Sequence, residues 1–215
     1  GQWSFDEENR KPIPKGLAAP HFPLIEHDDV TRTVIEMVAE RFSDHPGNAR
    51  EFAYAVDREG ASAWLELFIA ERLANFGPYE DAMRVHEPFL WHSVLTPYLN
   101  TGLLTPQEVI DRAMVAFKSG SVPLASAEGF IRQILGWREF IRGMDREYGL
   151  RSLGSGNWPR TFGGNRRLAS SWYEGSTGLL PLDTVIRRTL RHGYCHHIER
   201  LMVIGATMLM TDVDA

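Results

Sequence analysis

The sequence predicts an all-α fold, and three observations carry that prediction. Apolar residues recur at three-to-four spacing in successive segments, helix-start signals precede several of them, and no segment reads as strand-rich. The 215 residues accommodate one large or two small domains, and 43% hydrophobic with 24% charged residues describes an ordinary globular protein. A formal charge of −5 argues against a generally basic nucleic-acid coat but leaves room for a local basic groove. Lone Cys195 excludes an internal disulfide framework and a self-contained cysteine-ligated cluster, and it fits a reducing, cytoplasmic compartment. No apolar run reaches membrane-spanning length, no signal peptide is expected, and neither an internal repeat nor a glycine-rich phosphate loop is found. The start at Gly1 and the stop soon after the apolar segment 201–210 are read as the marks of a fragment.

The elements follow in order. Residues 1–25 form an extended linker, because Pro12, Pro14, Pro20 and Pro23 each remove an amide donor and disfavour helix at the preceding residue. Residues 26–215 form the helical domain. Asp28 and Asp29 cap a helix with Val30, Val34, Ile35, Val38 and Phe42 as its apolar stripe, ended by Pro46 and Gly47. A second helix spans about 62–75, burying Trp64, Leu65, Phe68, Ile69 and Leu73, with Gly77 as its stop. Short apolar pieces broken by Gly, Pro and Asn between 76 and 104 suit a binding loop. Thr105-Pro106-Gln107-Glu108 is a capping box that starts a helix running to about Lys118, stopped by Gly120. Ser126 starts the next, with a Phe130, Ile134, Trp137, Ile141 stripe; residues 143–176 are irregular, and Asp183 caps the helix leading to Gly193.

The stretch from 193 to 205 carries the chemistry. Read as one helix, it places Tyr194, His197 and Arg200 on a shared face, with His196 pointing away. Met202, Val203, Leu209 and Met210 predict a buried helix whose ionisable face needs a partner or a ligand. Two readings follow from residue type: hydrogen-bonded core histidines, or a metal pair formed by His192 and His196 at i, i+4 with Glu199 nearby. Gly193 weakens the second, and no metal is expected. Between residues 151 and 200 stand eight arginines against three acids, interleaved with Trp158, Phe162, Trp172 and Tyr173. That excess suits either a phosphate-binding surface with stacking platforms or a solvated loop.

Several motifs coincide in order: residues 3–10 (WSFDEENR), 76–83 (FGPYEDAM), 90–99 (LWHSVLTPYL), 128–140 (EGFIRQILGWREF), 176–183 (STGLLPLD) and the histidine stretch. Together they resemble the helical flavin-binding domain of the photolyase/cryptochrome superfamily, and within it the bacterial branch that includes the iron–sulfur (6-4) photolyases. The resemblance implies that Tyr79 and His92-Ser93-Val94-Leu95-Thr96 hold the FAD diphosphate, with Arg138 near its phosphates. It further implies that Phe130 and Gln133 face flavin or lesion, that Arg200 pairs with an acid beside the flavin, and that Tyr194 occupies an electron-transfer position. His197 takes the position of the histidine that donates a proton to a (6-4) lesion as excited, reduced flavin transfers an electron to it. Arg160, Arg166, Arg167, Arg187 and Arg188 are the implied phosphate grips for UV-damaged DNA, the lesion being flipped into a central pocket.

Departures from the family pattern set further expectations. Leu180-Pro181-Leu182 stands where a cluster cysteine is usual, and Cys195 where alanine is, so no iron–sulfur cluster is expected. The family's antenna domain and its later flavin-contacting segment are not in the chain, which is expected to carry about half a flavin site. The reading is a light-dependent DNA repair flavoprotein, monomeric when complete and without membrane attachment. The alternatives are a cryptochrome-like blue-light photoreceptor without repair and a helical interaction module without flavin.

Overall fold

The computed structural model describes residues 10–23, 25–148 and 166–213. Helices dominate: α1 Asp29–Arg41, α2 Arg58–Glu71, α3 Leu73–Tyr79, α4 Thr96–Thr101, α5 Pro106–Lys118, α6 Leu124–Tyr148, α7 Ser170–Glu174, α8 Leu180–His192 and α9 Ala206–Met210. A π-helical segment, Glu199–Gly205, leads into α9. Among the described residues the extended pairing is limited to one isolated bridge, Arg166 to Val213, so the fold is all-α as its sequence pattern predicts.

The core is built where α2, α3, α5 and α6 converge. Trp64, Leu65 and Phe68 of α2, Leu73 and Phe76 of α3, Val109 and Ala113 of α5, and Phe130 and Ile134 of α6 are all buried there. Capping fixes the starts. Asp28 accepts from the Thr31 amide at 2.7 Å, and Asp57 from the Gly60 amide at 2.7 Å. The capping box of α5 forms in full, with Thr105 and Glu108 bonded reciprocally. Arg58 also binds Glu108, and with Thr105 it holds that carboxyl down at about 2, against an ordinary value of 4.5. Because the folded value is depressed, this contribution is present above pH 4.5 and lost as pH falls toward 2. Glu108→Gln is therefore expected to flatten the acid limb of stability over that window, measured by urea unfolding at stepped pH.

Several elements depart from expectation. The α1 stripe does not face the core: Val30 is 70% and Phe42 49% exposed, while Thr31 is the residue buried. Gly77 does not end a helix but sits inside α3, because its missing side chain is what lets α6 approach. A Cβ there would meet the Ser126 nitrogen at 2.7 Å and Ala125 backbone at 2.9 Å. Ser126 lies within the first turn of α6 rather than at its cap, and its fully buried hydroxyl donates to the Ala74 carbonyl (2.9 Å) and accepts from the Gly77 amide (3.0 Å). Gly77→Ala is expected to force α3 and α6 apart and destabilise by about 1–3 kcal/mol, read from the unfolding midpoint. The segment after Arg142 stays helical to Tyr148 before the chain leaves the described residues, and 170–174 is α7.

A further departure is the histidine stretch. Gly193 takes a left-handed conformation, φ 60°, and closes α8, so residues 194–196 are not helical and the chain turns before helix resumes at His197. Tyr194, His197 and Arg200 consequently do not share a face. Asp183 acts on the start of α8 from within it, its carboxylate accepting from the Thr177 and Gly178 amides at 2.7 and 3.0 Å. Residues 10–23 are extended and pinned by arginines: Arg72 donates to the Pro20 and His21 carbonyls and Arg84 to that of Leu17. Among the described residues, no helix is long and apolar enough to cross a membrane.

Candidate functional site

The turn at Gly193 swings His196 inward and brings it against a residue a hundred positions earlier. His196, 3% exposed, stacks on His92, 8% exposed, with ring centroids 4.6 Å apart and planes 16° from parallel. His197 meets His92 edge-on at 5.6 Å. One ring nitrogen from each of the three lies within 4.8 Å of the others. His92 is positioned by the loop between α3 and α4, where Leu90 (φ 41°) and Val94 (φ 52°) both adopt left-handed backbone. For a β-branched valine that conformation is strained, and such strain persists only where surrounding contacts fix it. Here the Trp64 indole N–H grips the Ser93 carbonyl at 2.9 Å, while Val94 and Leu95 are buried in the core.

Carboxylates surround the imidazoles. His197 turns Nε2 toward Asp81 (3.4 Å) and Glu80 (3.7 Å), and Gln133 of α6 donates to the same Glu80 oxygen at 2.9 Å. Glu199 faces His196 Nε2 at 3.4 Å and forms a buried ion pair with Arg188. Burial keeps His92 neutral, holding its pKa well below the ordinary histidine value, reinforced by His196 and His197 beside it. Burial also lowers His197, with Asp81 pulling the other way. The arrangement suits a neutral imidazole that takes up or releases a proton at a partly open wall.

Not every expected site residue converges here. Gln133 and His197 do, meeting at Glu80. His92 joins them but is stacked in the interior, and Val94 and Leu95 are core; of that loop, Ser93 is half-buried and Thr96 exposed. Tyr79 stacks on Trp91 at 4.8 Å. Phe130 packs against Phe68 and Phe76 in the core and does not face an open site. Tyr194 lies on the other side of the turn against Phe89 (4.9 Å), where burial raises its hydroxyl pKa. Arg138 is half-buried and donates to the Ile134 carbonyl of its own helix; Arg200 is exposed and donates to the Cys195 carbonyl.

The arginines divide similarly. Arg166, Arg167 and Arg187 are exposed, although Arg187 donates to the Gly175 carbonyl. Arg188 is not a surface grip: only 14% of its side chain is exposed, and it joins Glu199 and the Arg84 carbonyl. Arg160 lies outside the described residues. Glu80 and Asp81 were not singled out in the sequence, and Glu199 entered there only as a neighbour of the His192 and His196 pair. The signals that mark them are the adjacent acids following Tyr79, and a glutamate three residues after a histidine.

Comparison with solved structures places this helical architecture among photolyase folds. A crystal structure of a bacterial class III photolyase from Agrobacterium tumefaciens matches with a TM-score of 0.61 at 24% identity, over 82% of this chain and 34% of that one. The family described as Deoxyribodipyrimidine photo-lyase-related protein matches residues 1–54. A (6-4) photolyase of Agrobacterium fabrum is 39% identical over 214 residues, covering 100% of this chain and 41% of that protein's length. An uncharacterized protein of Acanthamoeba polyphaga mimivirus is 37% identical over 116 residues, 54% of this chain and 85% of that protein. The chain belongs to the photolyase-related family.

Proposed function

We propose that this chain contributes the lesion-facing part of a light-dependent DNA repair flavoprotein acting on (6-4) photoproducts. The observation that carries the reading is the convergence of His197 and Gln133 on one Glu80 oxygen, at 3.7 and 2.9 Å. Residues more than sixty positions apart thus form a polar wall holding one general acid and one amide able to hydrogen-bond a base edge. The similar (6-4) photolyase supports the same lesion class.

FAD fits the residues available. The strained turn at Val94 presents Ser93 and Thr96 from the edge of the core, and short hydroxyls beside backbone amides suit a diphosphate. Arg138, with Arg200 exposed further on, would add positive charge. The bound group supplies the light-driven electron. The protein's own part is to hold His197 between Asp81 and Glu80 with its proton aimed by those carboxylates, and to deliver that proton to the lesion. Arg166, Arg167 and Arg187 would grip flanking phosphates.

The test is direct. The purified chain is incubated with FAD, passed through gel filtration, and assayed for blue-light-dependent loss of (6-4) photoproducts from UV-irradiated DNA, with a dark control. Retained flavin absorbance with light-dependent loss is the expected result. Retained flavin without any loss of photoproduct would favour the photoreceptor alternative, and no retained flavin would count against a self-sufficient site in these residues.

A further inference from the structure

We infer that His92, His196 and His197 form a binding site for one divalent transition metal of the zinc class, through three imidazole nitrogens. Two observations carry this independently. The first is proximity: a nitrogen of each ring already lies within 4.8 Å of the other two. A tetrahedral centre with metal–nitrogen bonds of about 2.0–2.1 Å sets its nitrogens roughly 3.4 Å apart, so the nitrogens close by up to about 1.4 Å per pair; because the metal lies in the plane of each ligating ring, one of the stacked His92 and His196 rings also turns out of parallel while His197 rotates toward them. Partial exposure of His197, 27% of its side chain, leaves room for that rotation.

The second observation is unmet hydrogen-bonding capacity. His92 Nε2 and both nitrogens of His196 are buried without a hydrogen bond, although their residues are more than nine-tenths buried. Buried polar atoms are nearly always satisfied; His196 Nε2 has the Glu199 carboxylate 3.4 Å away, so His92 Nε2 and His196 Nδ1 are the nitrogens left without a partner, and they mark a place where something binds. Water would do so weakly; a metal uses the imidazole lone pairs directly. The surroundings match a metal better than water. Carboxylates stand behind two of the rings, Glu199 behind His196 and Asp81 behind His197, each at 3.4 Å, the arrangement that orients ligating imidazoles and raises their basicity. Arg188 in turn holds Glu199.

Three nitrogen ligands leave a fourth position open on the exposed side of His197, as in sites where a metal keeps an exchangeable water. The imidazole preference points to Zn2+, Co2+, Ni2+ or Cu2+ rather than Mg2+ or Ca2+. Metal and proton would compete for His197, so a loaded site would inhibit proton donation. The inference does not depend on flavin, and its test uses neither flavin nor DNA.

Tag-free chain, stripped with chelator, is titrated with Co2+ and followed by visible d–d absorption. Expected is one Co2+ per chain with an intense tetrahedral-type band, displaced by one equivalent of Zn2+. His92→Ala and His196→Ala should each abolish the band. Because both residues are buried, the accessible variants His197→Gln and Asp81→Asn are run alongside and checked by far-UV circular dichroism. The former should lose the band and the latter weaken binding about 10- to 100-fold. Absence of a stoichiometric band, an unchanged band in folded His197→Gln, or a thiolate charge-transfer band assigning the metal to Cys195 would each overturn the inference.

Discussion

Replacing His197 by alanine is expected to slow light-driven repair by about 10²- to 10⁴-fold, the range lost when a positioned general acid is removed. His197 sits at the wall of the site with 27% of its side chain exposed, so truncation leaves no deep cavity and the fold should hold. Flavin binding should also survive, since His197 hydrogen-bonds to Asp81 and faces Glu80 rather than the Ser93 and Thr96 hydroxyls, and its contact with His92 is an edge-on ring contact alone. His197→Asn sharpens the test by keeping a polar side chain of similar length that cannot donate a proton as an imidazolium does. The measurement is single-turnover loss of (6-4) photoproduct under blue light, normalised to bound flavin. Repair at the parent rate in both variants would remove His197 from the chemistry.

Arg188→Ala should be the most damaging change to stability, by about 3–5 kcal/mol. The side chain of Glu199 is 3% exposed and that of Arg188 14%, so deleting the guanidinium leaves a carboxylate in the interior without its counter-charge. The loss is compounded because Arg188 also donates to the Arg84 carbonyl at 2.7 Å, tying α8 to the loop after α3. A paired change, Arg188→Met with Glu199→Leu, should recover much of the loss by removing both charges together. Urea unfolding of the single, reciprocal and double variants measures this. A single variant within about 1 kcal/mol of the parent would mean that water reaches the pair and screens it.

How much of this was legible in the sequence depended on whether the cause was local. The capping box at Thr105 and Glu108 is written within four consecutive residues, and it forms as expected. The all-α class was equally legible, because helical periodicity is a short-range property. Gly77 was not. A glycine near the end of an apolar run reads as a stop, and only the presence of α6 against it explains why it lies inside a helix. The histidine stretch failed similarly: its apolar periodicity hid the left-handed turn at Gly193, which decides that His196 faces inward. The α1 stripe is periodic yet largely exposed, so periodicity reported the helix and not what covers it. Placing Gln133 beside His197 came from the family resemblance, whereas the stacking of His92 on His196 has no local signature.

The π-helical segment has an evolutionary consequence. Between Glu199 and Gly205 the backbone takes one residue more per turn than an α-helix needs, with the Gly205 position close over the Arg200 carbonyl. Such a bulge is what a single-residue insertion leaves in an ancestral α-helix. Deleting one residue there would close the segment back to an α-helix and leave Leu209 and Met210 on their present face, whereas the same deletion in a regular α-helix would rotate everything downstream by roughly 100°. Family members that differ by one residue at this point would then share both the chemistry upstream and the faces presented downstream, so the segment marks a place where the lineage absorbs a one-residue insertion or deletion without remodelling its surface.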